Sequence, residues 1–135
     1  MKNIYRLLSL MLLLLTWVSC TPDVTDDTVF KLYYFNVSLT LGEDYVSQPS
    51  YLGKQPHSFE IYAISCDGKV WYNPKLDGKL TEDSHFYVNP DNGNIIISKT
   101  TDMTAGTYKV SISCVSDGVA YTYPDLITVK LNKAK

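Results

Sequence analysis

The residues of this sequence best suited to chemistry are one run of triad-type side chains, two histidines and three cysteines. The run Glu82-Asp83-Ser84-His85 contains the residue types of a Ser-His-acid hydrolase. Neighbours in an extended chain point in alternating directions, so these side chains cannot align a nucleophile with its base. The sequence also has no Gly-x-Ser-x-Gly elbow, phosphate-binding glycine loop or His-Glu-x-x-His pair. We therefore predict that the protein is not an enzyme.

Metal and cofactor chemistry finds no support in the residue pattern either. His57 and His85 do not combine with Cys66 and Cys114 into the ligand spacing of a zinc site. Calcium needs several convergent oxygen ligands, and the sequence offers no such acidic motif. We predict no metal and no cofactor.

The third cysteine, Cys20, closes an N-terminal segment that has the parts of an export signal. Lys2 and Arg6 precede an apolar run over residues 7–15, which is too short to span a bilayer. We predict a signal peptide over residues 1–19. The segment resembles the lipoprotein signal of bacteria, which implies that Cys20 is lipidated and becomes the first mature residue. A plain secretory signal or an uncleaved anchor is the alternative.

Residues 20–27 are predicted to form an acidic tether. They include three aspartates and a proline, and have too little apolar surface to fold alone. The tether resembles the export address of Bacteroidetes lipoproteins, which implies a lipid-anchored protein of the outer membrane that faces the cell exterior. The alternative is a solvated linker without an address. Thr28 lies in a short motif, Asp27-Thr28-Val29, that resembles the O-glycosylation motif of these bacteria.

The rest of the chain has the size and charge of one ordinary domain. Without residues 1–19 it has 116 residues, of which ten are basic and fourteen acidic, a net charge of −4. This length can bury a core without disulfides. No basic stripe is present to bind phosphates, so we predict no nucleic-acid partner.

Residues 28–135 have the alternating pattern of β-strands. The clearest case is Tyr108, Val110, Ile112 and Cys114, which alternate with polar neighbours. A similar alternation runs from Val37 to Leu41, and further strands are predicted over residues 58–65, 69–72, 85–89, 95–99 and 119–131. Tight turns are predicted at Asp67-Gly68, Asp77-Gly78, Asn92-Gly93 and Asp117-Gly118. About seven short strands without a sustained helical period predict an all-β sandwich.

Two stretches of this region resemble a known family. The stretch from His85 to Ile97 places an aromatic strand, an Asn-Gly turn and an Ile-rich strand in sequence, and Ala105-Gly106-Thr107-Tyr108 opens the next strand. This order resembles the cadherin-like and Ig-like modules of bacterial surface proteins. With the lipoprotein start, it resembles the N-terminal domain of Bacteroidetes surface glycan-binding lipoproteins. The resemblance implies a single Ig-like or cadherin-like β-sandwich over residues 28–135.

An Ig-like strand order would implicate Cys66 and Cys114 in a disulfide. Strand parity points both side chains inward, and the resemblance implies that their strands are the pair bridged across the sandwich in antibody domains. Export to an oxidising compartment makes the bridge chemically feasible. Two buried, unpaired thiols are the alternative, because free cysteine packs as a small hydrophobe.

Aromatic residues provide the candidate binding groups. Trp71 and Tyr72 lie beside a proline turn, and exposed flat rings of this kind suit the apolar faces of sugars. Tyr51, Tyr121 and Tyr123 are further candidates. The alternative is that these rings are core or sheet residues, with Trp71 as a core plug.

Two functions follow from these expectations. The family resemblance implies a non-catalytic surface lipoprotein that binds glycan or assists glycan uptake, with a polysaccharide or surface protein as its partner. The second is a spacer, adhesion or protein-docking module without a small-molecule ligand. It is favoured by a chain that stops directly after its final predicted strand, where relatives continue into a separate ligand-binding region.

Overall fold

The computed structural model describes residues 29–134, which form short β-strands and little helix. The strands are β1 (Lys31–Tyr33), β2 (Val37–Thr40), β3 (Tyr45–Ser47), β4 (Ser50–Leu52), β5 (His57–Cys66), β6 (Lys69–Tyr72), β7 (Phe86–Val88), β8 (Ile95–Ile97), β9 (Gly106–Ser116) and β10 (Val119–Asn132). A single-turn helix, α1, spans Pro74–Asp77, and a 3-10 turn spans Thr100–Asp102. The predicted signal, tether, lipidated Cys20 and glycosylated Thr28 lie outside the described residues.

The strands form two main sheets that enclose one core. One sheet has five strands in the order β2-β10-β9-β5-β6, and the other has three in the order β3-β8-β7. The small β1-β4 pair is formed by the chain on either side of β2 and β3. All neighbours are antiparallel except β2 and β10. This strand order is that of an immunoglobulin-like β-sandwich, so the predicted all-β, Ig-like fold is confirmed.

Three of the four predicted turns join strands as the sequence indicates, and one of them is Asn92-Gly93 between β7 and β8. Asp67-Gly68 links β5 to β6 and Asp117-Gly118 links β9 to β10, and both residues of each pair have positive φ. Two positive φ values are the signature of the type I′ turn, whose twist matches that of the strands it joins. Asp77-Gly78 does not join strands, which corrects the prediction for that pair. Gly78 ends α1, where its backbone N–H donates to the Pro74 carbonyl.

The core is filled by inward-facing residues from both sheets. Tyr108 at its centre is fully buried and packs on Phe86 of the facing sheet, with ring centroids 5.7 Å apart. The Tyr108 hydroxyl donates to the Thr104 carbonyl at 2.7 Å, four residues upstream. A tyrosine early in this strand with a hydroxyl bonded to upstream backbone is the tyrosine corner of Ig-like sandwiches. It fixes the loop that leads into β9.

Replacing Tyr108 by phenylalanine is expected to lower the free energy of unfolding by about 1 kcal/mol at neutral pH, because the Thr104 carbonyl loses its donor. Burial raises the pKa of Tyr108 to about 12. A folded-state pKa above the unfolded value of about 10 stabilises the fold below pH 10, and this contribution is lost as the pH rises to 12. Urea unfolding at pH 7, 10 and 12 should therefore show a smaller alkaline loss for Tyr108→Phe than for the wild type. Equal losses in the two proteins would contradict this assignment.

Candidate functional site

Three of the predicted binding tyrosines meet at one place, which we call the tyrosine surface and define by Phe30, Tyr51, Tyr121 and Tyr123. Tyr121 and Tyr123 lie two residues apart on β10 and therefore share a face, and their rings stack at 6.4 Å with an interplanar angle of 15°. The Phe30 ring lies 4.9 Å from that of Tyr121 and 6.4 Å from that of Tyr123. The β1-β4 pairing brings Tyr51 alongside, 6.5 Å from Phe30.

The tyrosine surface is partly open to solvent, because Phe30 is buried and only Tyr51 of its four residues is exposed. Tyr51 is 41% exposed, and Tyr121 and Tyr123 are half-buried around Phe30. Tyr33 and Phe35 are two further exposed aromatic residues near β1, and Tyr33 lies close enough to Tyr123 to influence its pKa. A ligand can contact the Tyr51 ring and the exposed parts of Tyr121 and Tyr123, which also pack against the core.

The hydroxyl group of Tyr123 stays protonated well above neutral pH. Burial raises the pKa of Tyr123, and the nearby ionisable groups of Cys114, Tyr121 and Tyr33 raise it further. A protonated phenol can both donate and accept a hydrogen bond. The surface therefore combines apolar rings with hydroxyl groups, the combination that suits the two kinds of surface on a sugar ring.

Trp71 lies on a different edge of the molecule. It belongs to β6, which β9 and β5 separate from β10. Its ring meets Tyr108 at 5.4 Å and Phe86 at 5.7 Å, both edge to face, and it remains 37% exposed. Trp71 therefore packs against the edge of the core with part of its ring exposed, and it does not join the tyrosine surface.

Tyr72 is only 5% exposed, and its hydroxyl donates to the Gly78 carbonyl at 2.7 Å. Its ring cannot serve as an exposed platform. The Tyr72 ring lines a cleft of about 300 Å³ between β5 and β7, which we call the side cleft. The side cleft is also lined by Phe59, Ile61, Val88, Glu60 and Lys79. The structure thus divides the five predicted binding residues among three places.

The structure contradicts the hypothesis of a disulfide between Cys66 and Cys114, because both cysteines are free. They lie on β5 and β9, which are neighbours in one sheet. Cys66 is opposite Tyr108, and Cys114 lies six residues further along β9, a distance of about 20 Å. A disulfide needs Cα atoms within about 7 Å. The sequence analysis missed the short strands β3 and β4, which precede β5 in the chain. It therefore treated β5 as the strand that faces β9 across the sandwich, whereas β5 is the neighbour of β9 in the same sheet.

We expect both thiols to react fully with a maleimide in denaturant without prior reduction. In the native protein, Cys66 should react faster than Cys114, because Cys114 is 2% exposed and burial raises the pKa of its thiol. Mass spectrometry of peptides after timed labelling measures both rates. Labelling that requires a reductant would show that the bridge forms.

The sequence analysis did not identify Phe30 as part of the tyrosine surface, or Tyr33 as a residue near it. The alternation of Phe30, Leu32 and Tyr34, all buried in the structure, is a signal that could have identified β1.

No helix within residues 29–134 is long and apolar enough to cross a membrane. In that same part of the chain, no three Asp, Glu, His or Cys side chains are grouped as a metal site requires.

Comparison with known proteins places this Ig-like sandwich in a family. Residues 18–135 match a family model described as surface glycan binding protein BT4661-like, N-terminal. The chain therefore belongs to this family, which confirms the resemblance to the N-terminal domain of surface glycan-binding proteins.

One solved structure has clear similarity in both sequence and fold. It is BT4661, a SusE-like, surface-located polysaccharide-binding protein from the heparin utilisation locus of Bacteroides thetaiotaomicron. It shares 27% identity with a TM-score of 0.60, over 75% of this chain and 16% of that chain. The titin M3 domain also matches, with 14% identity and a TM-score of 0.42, over 79% of this chain and 96% of that chain. No curated protein matches.

Proposed function

We propose that this chain is a non-catalytic, lipid-anchored module of the bacterial cell surface that binds polysaccharide through the tyrosine surface and so assists glycan uptake. Family membership supports an association with surface glycan binding. The observation that carries the proposal is the convergence of Tyr51, Tyr121 and Tyr123 around Phe30. Residues from β4 and β10 meet there only through folding.

The proposed binding mode follows from the geometry of these rings. The apolar face of a sugar packs on an exposed aromatic ring, while its hydroxyl groups exchange hydrogen bonds with the phenols. Two stacked rings from one strand and a third from β4 offer contacts to successive sugars of a chain. Because the rings are already packed on Phe30, little side-chain entropy is lost on binding.

Affinity electrophoresis of the mature chain tests this function. Native gels containing a neutral or acidic polysaccharide, with heparin among the panel, should retard the wild type, and Tyr121→Ala should reduce the retardation. Trp71→Ala should leave it nearly unchanged. Migration of the wild type unaffected by every polysaccharide, or retardation lost with Trp71→Ala alone, would contradict the proposed site.

The proposed anchor is the lipid on Cys20, with residues 20–27 as the tether and the outer face of the outer membrane as the location. Cys20→Ala should release the protein from the membrane fraction. Protease treatment of intact cells should digest the wild type if it faces the exterior. Persistence of Cys20→Ala in membranes would contradict lipid anchoring.

A spacer function is the second candidate, and one observation favours it. The described chain enters at Phe30 beside Tyr121 and ends after Asn132, eleven residues further along β10. Because β10 bulges between Tyr123 and Ile127, this span covers about nine positions of β9, so at about 3.3 Å per residue entry and exit are about 30 Å apart at opposite ends of the sandwich. The chain spans only 16% of the length of BT4661. A domain with termini at opposite ends can hold a further domain away from the anchor.

A further inference from the structure

We propose that the side cleft is a second binding site, separate from the tyrosine surface, for a single neutral sugar ring. This goes beyond the proposed function, because the cleft lies between β5 and β7 and shares no residue with the tyrosine surface. The two sites can therefore be tested independently.

The side cleft exists because β6 is short. It pairs with β5 only over Ile64–Cys66, so in the described fold the first half of β5 has no hydrogen-bonded strand on this side. After Tyr72 the chain leaves the sheet through α1, which Asn73 caps by accepting a hydrogen bond from the Lys75 N–H. The bond from the Tyr72 hydroxyl to the Gly78 carbonyl holds the following segment, which includes Lys79, against the opening. The cleft is thus a formed feature of the fold.

The cleft pairs an apolar floor with polar groups at its opening. Phe59, Ile61 and Val88 are buried core residues that face it, and the Tyr72 ring closes one side. Glu60 and Lys79 also line the cleft and are exposed. The structure describes only one ion pair within residues 29–134, between Lys54 and Asp117, so neither of these charges is paired. A carboxylate acceptor and an ammonium donor remain available to a ligand.

Opposite charges at one opening favour an uncharged ligand. A charged sugar would be attracted by one of these groups and repelled by the other, so Glu60 opposes an acidic sugar and Lys79 opposes an amino sugar. Burial raises the pKa of Tyr72, a hydrogen bond with the backbone of Leu80 lowers it, and the nearby carboxylates of Glu60 and Asp77 raise it. A neutral ring can use both groups, because its hydroxyls donate to Glu60 and accept from Lys79.

The volume of the cleft limits the ligand to a small one. At about 300 Å³ it lies at the lower end of small-molecule sites. A methyl glycoside of about a dozen heavy atoms, at the efficiency typical of small ligands, is expected to bind with a dissociation constant on the order of 1 mM. Millimolar binding is measured well by chemical-shift titration.

The test is a titration of the ¹⁵N-labelled mature chain with the methyl glycosides of glucose, galactose and mannose. At least one should shift the amide signals of Glu60, Ile61, Lys79 and Leu80. Glucuronic acid should bind about fivefold more weakly than the best glycoside. No shifts at these amides with any of the three glycosides, or equal binding of the acid, would overturn the proposal.

Matched variants separate this site from a general effect of charge. Glu60→Gln and Lys79→Met should each weaken binding of the best glycoside about fivefold. Glu82→Gln and Lys75→Met remove the same charges from exposed positions outside the cleft lining and should leave it unchanged. The cleft signals should shift equally in a Tyr51→Ala/Tyr121→Ala variant. A wild type that binds no polysaccharide but still binds a glycoside in the side cleft would therefore count against the proposed function alone.

Discussion

Replacing Gly93 by alanine is expected to lower the free energy of unfolding by about 3 kcal/mol. Gly93 has φ +77°, and a Cβ there would lie 2.6 Å from Cζ of Phe59. The positive φ costs about 1 kcal/mol for a residue with a side chain, and overpacking a core adds about 1–3 kcal/mol. Phe59 is buried and cannot move away freely. The Gly93 carbonyl also accepts the hydroxyl of buried Tyr34 at 2.6 Å, which fixes the turn.

Gly68→Ala is the matched control for this effect. Gly68 has φ +81°, but a Cβ there would meet no atom within 4 Å. It therefore reports backbone strain without the steric overlap, and we expect a loss of about 1 kcal/mol. Urea unfolding followed by circular dichroism measures both variants. If Gly93→Ala costs no more than Gly68→Ala, the close packing of Phe59 on the turn between β7 and β8 is wrong.

The double substitution Tyr51→Ala/Tyr121→Ala is expected to weaken binding of any polysaccharide that the wild type retains by about thirtyfold. Each ring is expected to contribute about 1 kcal/mol to the binding free energy, and about 1.4 kcal/mol corresponds to a tenfold change in affinity. Tyr51 and Tyr121 contact Phe30 from β4 and β10, so the double substitution removes one aromatic ring on each side of Phe30. Isothermal titration with an oligosaccharide of the retained polymer measures the change.

Tyr45→Ala provides the control for this prediction. Tyr45 lies on β3 and is 43% exposed, close to the exposure of Tyr51, but it is not part of the tyrosine surface. Its removal should change affinity less than twofold. Thermal unfolding of all variants confirms that they are folded at the temperature of the titration. An equal loss of affinity in Tyr45→Ala would show that the effect is not specific to the proposed surface.

The parts of the fold that the sequence predicts well are long strands joined by tight turns. The alternation from Tyr108 to Cys114 lies within β9, and Asp117-Gly118 forms the turn that it predicts. Both signals are local, because side-chain alternation and positive φ depend on neighbouring residues. The short strands β3 and β4 have only three residues each, and their positions do not alternate between buried and exposed.

The sequence does not predict which distant side chains meet in the folded protein. Tyr51 and Tyr121 are seventy positions apart, and only the pairing of β1 with β4 and the packing of Phe30 against β10 bring them together. For the same reason the two inward-facing cysteines looked compatible with a bridge. Parity gives the face of a strand but not its neighbours, and the register places Cys66 opposite Tyr108. The end of β6 at Tyr72 agrees with the prediction, but the side cleft also depends on how Lys79 and Leu80 pack beside β5 and β7, which no local pattern indicates.

The measurement that tests polysaccharide binding at the tyrosine surface most directly is an aromatic ¹H–¹³C NMR titration of the mature chain. The ligand is an oligosaccharide of the polymer that retards the protein most strongly in affinity electrophoresis. We predict that the ring signals of Tyr51, Tyr121 and Tyr123 shift together along one binding curve, while those of Tyr45 and Trp71 stay in place. Unchanged signals at all three tyrosines, or shifts confined to Trp71, would contradict the proposed function.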